Sequence, residues 1–306
     1  MGRHTLLGIV LALACLTRVS GSAPDQAVSS AQLIQDMTTL ASDAMEGREF
    51  GTAGGAKARD FVVQRFRAAG IRPFPAGYIQ SIPAAPGPAG ANVLGFVPGQ
   101  RADRFIVVSA HYDHIGRRNG VTFNGADDNA SGTAALFAIG SHFAAHPPRN
   151  SLLVAAFDGE EEGFLGSRHF LRNPPVAKSA LVIDLNADML GRDATNRLFV
   201  VGTFRQPFLK PFLQRVVPAS PVSLLFGHDS PAQGRDDWSH DSDHWAFMEV
   251  GIPAVYFGVE DYEQHHKATD DADTIDTTFY TAVVETLIRA VDRVDTDLDA
   301  ILAAKG

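Results

Sequence analysis

From Asn92 onward the chain alternates short apolar runs with stretches of helical spacing. The runs are Val93–Val97, Phe105–Ala110, Leu152–Phe157, Leu181–Leu185, Leu198–Val201 and Ala254–Phe257. Strands buried on both faces read as such runs, because crossover helices cover both sides of the sheet. The pattern therefore predicts an α/β fold: a single domain with a central mixed, mostly parallel sheet and helices on both faces. Upstream, Ser30 to Gly70 carries helical spacing, with Leu33, Met37 and Leu40, then Phe61, Val62 and Phe66. The glycine-rich Gly51-Thr52-Ala53-Gly54-Gly55 interrupts it, and Gly70 is a natural stop. Ser81 to Ala91, rich in Pro, Ala and Gly, reads as loop with a short strand at most. Thr278 to Ala303 predicts a closing helix whose apolar stripe is Val283, Val284, Leu287, Ile288, Val291 and Val294.

The first 22 residues follow a different pattern. Arg3 and His4 precede the apolar run Leu6 to Cys15, and the small residues Ser20 to Ala23 follow, as in a secretory signal cleaved near Ser22. The expected organisation is thus a signal peptide at 1–22 and one catalytic domain at 23–306, exported to the periplasm or the extracellular space. No later segment has the ~18 uninterrupted apolar residues of a transmembrane helix. Cys15, the one cysteine in the sequence, leaves with the signal, so disulfides and thiolate metal centres are excluded; its surroundings fit a lipoprotein box poorly, which argues against a lipid anchor. Loss of the signal also removes two of the 26 basic residues and none of the 35 acids, making the chain two charges more negative than −9. Nucleic acid is therefore a disfavoured partner.

The acids gather where apolar runs end. His111-Tyr112-Asp113-His114 follows one strand, and His-x-Asp suits a metal-bound imidazole whose other nitrogen needs an acceptor, with Asp113 as that acceptor for His111. Gly125-Ala126-Asp127-Asp128-Asn129-Ala130-Ser131-Gly132 opens an apolar helix; capping explains one of its acids and leaves the second for a cation. Asp158-Gly159-Glu160-Glu161-Glu162-Gly163 stacks carboxylates whose repulsion needs a countercharge. Asn186-Ala187-Asp188, Ser242-Asp243-His244 and Glu263-Gln264-His265-His266 complete the set. Each cluster alone also fits a turn, a cap or a solvated run. Their joint occurrence at strand ends of one α/β chain favours a metal site of imidazole and carboxylate donors, suited to zinc, with cobalt or manganese as substitutes. No Gly-x-Ser-x-Gly elbow is present, which disfavours a serine hydrolase.

Together these stretches, with Glu46-Gly47-Arg48, Gly51-Thr52 and Gly251-Ile252-Pro253 and in this order, resemble the two-zinc aminopeptidases, the family of bacterial leucyl aminopeptidases and aminopeptidase Y. The resemblance implies a zinc exopeptidase (phosphorylase/hydrolase-like) fold acting on peptides with a free N-terminus. It implies that His111 and Asp188 bind one zinc, Glu161 and His266 the other, and Asp127 bridges the two. It further implies Asp113 behind His111, Glu160 as general base, and a cis Asp127-Asp128 peptide. Relatives often carry a Tyr before the last histidine ligand as oxyanion donor; here His265 stands there, leaving His265 and His240 as candidates. Two other readings stay open: a single-zinc glutaminyl cyclase, against which the presence of His111 argues, and a noncatalytic exported metal-binding protein. Phe208, Phe212, Leu224, Leu225, Phe226, Trp238 and Tyr262 are either a specificity pocket or core.

Overall fold

The computed structural model describes residues 1–2, 28–83 and 89–306, so the expected export segment, with Cys15, lies outside the described residues apart from Met1 and Gly2. The strands are β1 (Arg72–Pro73), β2 (Ile79–Ile82), β3 (Gly90–Val97), β4 (Arg101–His111), β5 (Arg117–Arg118), β6 (Val121–Thr122), β7 (Asn150–Phe157), β8 (Leu181–Ala187), β9 (Arg197–Val201), β10 (Ser223–Phe226) and β11 (Ala254–Gly258). The helices are α1 (Ser30–Leu40), α2 (Ala53–Ala68), α3 (Gly132–Ala145), α4 (Leu165–Arg172), α5 (Lys210–Leu213), α6 (His244–Glu249) and α7 (Thr277–Lys305).

One sheet runs β1-β3-β7-β4-β8-β11-β9-β10, with β2 also on β3, while β5 and β6 form a separate ribbon. The central pairs β7-β4, β4-β8 and β8-β11 are parallel; β3 on β7 and β9 on β11 are antiparallel. This is the mixed sheet that the apolar runs predict, parallel at its centre and antiparallel toward β3 and β9.

Alternation along β4 shows how those runs are covered. Ile106, Val108 and Ala110 pack with α1, α2, α3 and α7, while Phe105 and Val107 pack with Phe170 of α4 and Phe247 of α6. Successive side chains point to opposite faces of a strand, so an unbroken apolar run needs helices on both sides.

The N-terminal region differs from expectation at its glycines. Gly54 and Gly55 lie inside the first turn of α2, capped by the Thr52 side chain, and do not form a break. A Cβ at Gly54 would run into the Met45 carbonyl, so these glycines let the helix seat against the preceding 3-10 turn, Asp43–Arg48.

That turn ends in Arg48, which is fully buried. Its guanidinium donates to the carbonyls of Leu40, Asn124 and Gly125 at 2.6–2.8 Å, and its Nε to that of Tyr112 at 2.8 Å. Burial pulls its pKa down to about 10, against the raising effect of Asp128 and Asp270. Arg48 thus ties together the turns that follow β4 and precede α3. Each buried carbonyl left without a donor costs about 1–3 kcal/mol. Arg48→Met is therefore expected to lower stability by about 3 kcal/mol or more, seen as a lower urea midpoint at unchanged m-value.

Candidate metal centre

Four neighbouring parallel strands deliver the acidic and imidazole clusters to one edge. β4 ends at His111, β7 leads into Asp158 to Glu162, β8 leads into Asp188, and β11 leads into the turn with His265 and His266. Parallel order puts all four carboxyl ends on the same side, which is why clusters remote in sequence meet.

Among the described residues two donor groups result, His111, Asp128 and Asp188 in one and His114, Asp128, Glu161 and His266 in the other. In the first, His111 Nε2 lies 3.2 Å from Asp188 Oδ1 and 3.4 Å from Asp128 Oδ1. In the second, His266 Nε2 lies 2.9 Å from Glu161 Oε2 and 3.2 Å from Asp128 Oδ2. Donors at zinc distances of about 2.0–2.1 Å in a tetrahedron stand about 3.3 Å apart. Both groups fit that spacing, and Asp128 offers one oxygen to each. Its Oδ2 is buried and accepts no hydrogen bond, although three imidazole nitrogens stand 3.2–3.6 Å away. Such an orphaned anionic oxygen among donors that need not be protonated suits a cation.

The expected bridge, Asp127, is placed elsewhere. Its Oδ1 accepts from Gly191 N at 2.6 Å and from Ser131 Oγ at 3.2 Å, within a fully buried setting away from both donor groups. The cis peptide is likewise one residue on, between Asp128 and Asn129. Gly125 enters this turn at φ +54°, where a Cβ would strike the Asp128 carbonyl. Asp270 then accepts the amides of Asp127 and Asp128 at 3.0–3.1 Å, fixing the turn from behind. With both amides held, the consecutive side chains leave on different sides, Asp127 toward the β8 loop and Asp128 toward the imidazoles.

Charges in the cluster lean strongly on one another. Burial would raise the Asp128 carboxyl, but the imidazoles of His114, His266, His111 and His265 outweigh it and hold it below the usual carboxylate range. His266 is raised to about 10 by its contacts with Asp128 and Glu161. Glu160 moves the other way: burial pushes its carboxyl well above the ordinary range, opposed by His111 and reinforced by Asp243. The neighbouring Glu161 is lowered instead: burial and Asp128 would raise it, but its hydrogen bonds with His114 and His266 outweigh them, so the two adjacent acids shift in opposite directions.

Residues 92–291, more than half of the chain, match peptidase family M28. The chain belongs to peptidase family M28. It is 31% identical over 183 residues to a probable zinc metalloprotease of Pyrenophora teres f. teres (strain 0-1), covering 54% of this chain but 38% of that one, so it spans well under half of that relative's length. Its fold matches the Legionella pneumophila LapA aminopeptidase with a TM-score of 0.70 at 16% identity, over 88% of this chain and 72% of that one. It also matches Porphyromonas gingivalis glutaminyl cyclase with a TM-score of 0.67 at 21% identity, over 87% and 98%. At such identities the likeness speaks to fold.

Supporting contacts in this M28 chain are local and specific. Asp113 meets His111 Nδ1 through its backbone carbonyl at 3.2 Å; its carboxylate, 3.7 Å from that nitrogen, instead accepts the amides of Glu160 and Glu161 at 3.1 and 3.3 Å. It thereby couples the two strand-end turns. Ser242 donates to Asp188 Oδ2 at 2.7 Å and accepts from Asn186 Nδ2 at 2.6 Å. Partners that orient a metal ligand are worth about 10–100-fold in metal affinity. Ser242→Ala is accordingly expected to weaken zinc binding by about 10-fold or more without unfolding the chain, measured by chelator competition.

A cavity of about 520 Å³ opens onto both donor groups and is lined by Glu160, Met189, Trp238, Tyr256, Val259 and His265 among others. Trp238 and Tyr262 line it as the sequence allows, but Phe208, Phe212 and Phe226 pack against the core, Leu224 is buried in it, and Leu225 sits on the edge strand β10. His265 faces Asp128 Oδ2 at 3.6 Å, whereas His240 packs edge-on to Trp245 and is not among the cavity's lining residues. His244 is buried against Tyr256, 5.3 Å between ring centroids, outside both groups. Sequence reasoning passed over His114, Asp270 as an anchor, and Tyr256. His114 had a signal, the His-x-x-His spacing at a strand end; Tyr256 had none, being one aromatic in an apolar run.

Proposed function

We propose that the chain is an exported zinc-dependent aminopeptidase with two metal ions, held by His111 and Asp188 on one side, Glu161 and His266 on the other, and Asp128 between. The observation that carries this reading is the Asp128 carboxylate, whose two oxygens face separate sets of donors while Glu160 lines the same cavity. When bound, zinc ions supply a water that ionises near neutrality and polarise the scissile carbonyl.

The protein's own groups do the rest. Glu160 takes the proton of the attacking water and passes it to the leaving amine. Asp113 holds the Glu160 and Glu161 amides, so base and ligand keep a fixed relation. His265 lines the cavity and is a candidate oxyanion donor, and the buried phenol of Tyr256, which lines it too, is a second. Apolar walls from Phe164, Met189, Trp238 and Val259 suit an apolar first side chain, and the surrounding acids suit its free ammonium group. Among the described residues no helix is long and apolar enough to cross a membrane.

Purified protein with zinc restored is tested on aminoacyl amides and on peptides with free and acetylated N-termini. Turnover of the free forms alone, abolished by chelation and restored by zinc, is expected. Ammonia release from glutaminyl peptides without hydrolysis would instead favour the cyclase, and no turnover at all would end the aminopeptidase reading.

A further inference from the structure

His114 stands three residues beyond His111, in the turn that leaves β4, and its ring is buried. Its Nδ1 lies 2.9 Å from Glu161 Oε1 and 3.5 Å from Asp128 Oδ2. Across the same space, His266 Nε2 stands 2.9 Å from Glu161 and 3.2 Å from Asp128, with the two rings 5.8 Å apart between centroids. Four donors from four separate turns thus surround one point, at separations that straddle the roughly 3.3 Å edge of a zinc tetrahedron. A hydrogen bond from His114 to Glu161 would satisfy those two atoms. It would leave Asp128 Oδ2 buried without a hydrogen bond in a space that His114 and His266 enclose from two sides.

We propose that His114 is a fourth protein donor to the Glu161/His266 half of the centre, an inference that rests on the two-zinc reading. Among the described residues the His111/Asp188 half has three protein donors, counting Asp128, and so keeps a position open. Zinc sites closed by four protein ligands hold their ion as structural sites do, while three-ligand sites leave room for water or substrate. The two halves therefore differ in task. The His114 half retains its ion tightly, and exchange of water and entry of the substrate take place beside His111 and Asp188.

Zinc stoichiometry and stepwise affinity are measured on the full chain by competition with a chromophoric chelator, and the donor number by the visible absorption of the cobalt-substituted protein. Wild type is expected to bind two ions, one far more tightly than the other. His114→Ala should weaken the tight site by more than about 100-fold, beyond what loss of an outer partner costs, and change the cobalt spectrum. His111→Ala should remove the weak site and leave the tight one. His114→Gln, which keeps bulk and a hydrogen-bonding amide, guards against misfolding and should show the same spectral change, with circular dichroism of the metal-free protein unchanged. Two ions of unaltered affinity and an unaltered cobalt spectrum in both His114 variants would overturn the proposal and reduce His114 to a hydrogen-bond donor. If wild type binds a single ion, the two-zinc reading fails separately, and the cobalt spectrum of His114→Ala still decides whether His114 is a ligand.

Discussion

Glutamine in place of Glu160 is expected to lower kcat by about 10²–10⁴-fold, the usual worth of a positioned general base, while zinc content and fold stay as in wild type. The side chain lines the cavity beside both donor groups yet belongs to neither, so its removal takes away proton transfer and no ligand. Glutamine keeps the shape and the backbone bond from Glu160 N to Asp113, which confines the change to acid–base capacity. A fall in kcat/KM through kcat alone marks an interaction made only in the transition state. The same substitution made at Glu161 should lose metal first and activity as a result. If Glu160→Gln turned over normally, hydrolysis would need another base and the division of labour between the two glutamates would be wrong.

The second large effect separates two neighbouring aspartates. Asp128→Ala is expected to strip metal from both halves, because each loses a carboxylate oxygen at 3.2–3.4 Å from its imidazole. The affinity loss should exceed the roughly 10–100-fold typical of an outer partner. It also leaves His111, His114 and His266 without their common counterion. Asp127→Asn should keep its zinc with a stability change of no more than about 1 kcal/mol, since burial already holds the Asp127 carboxyl well above its ordinary range and the amide oxygen can still accept from the Gly191 amide and the Ser131 hydroxyl. Metal analysis after dialysis, beside urea unfolding of the metal-free proteins, reads both. Zinc lost from Asp127→Asn and retained by Asp128→Ala would return the bridge to Asp127.

These two pairs also show why adjacent acids are hard to rank from a sequence. Glu160 and Glu161 lie at a strand end where every carboxylate has the same composition around it, and only the family resemblance divides their roles. Asp127 and Asp128 defeat even that when the register of the motif is taken one residue early. Their separation depends on Asp270, 142 residues further along than Asp128, whose carboxylate fixes both amides. A polar residue's direction in a turn follows from what holds its backbone, and the partner here comes from another strand end.

By itself the sequence determined the layered α/β architecture, the strands that carry the chemistry, and the edge on which His111, Glu160, Glu161, Asp188 and His266 gather. Periodicity is a local property, and in parallel sheets the carboxyl ends of strands share one side. Tertiary structure alone decided that Asp128 and not Asp127 faces the imidazoles, that His114 joins Glu161 and His266, and that Trp238 and Tyr262 line the cavity while Phe208 and Phe212 pack against the core. Those outcomes turn on distances between segments remote in the chain, and an apolar or acidic residue has the same identity whichever way packing aims it.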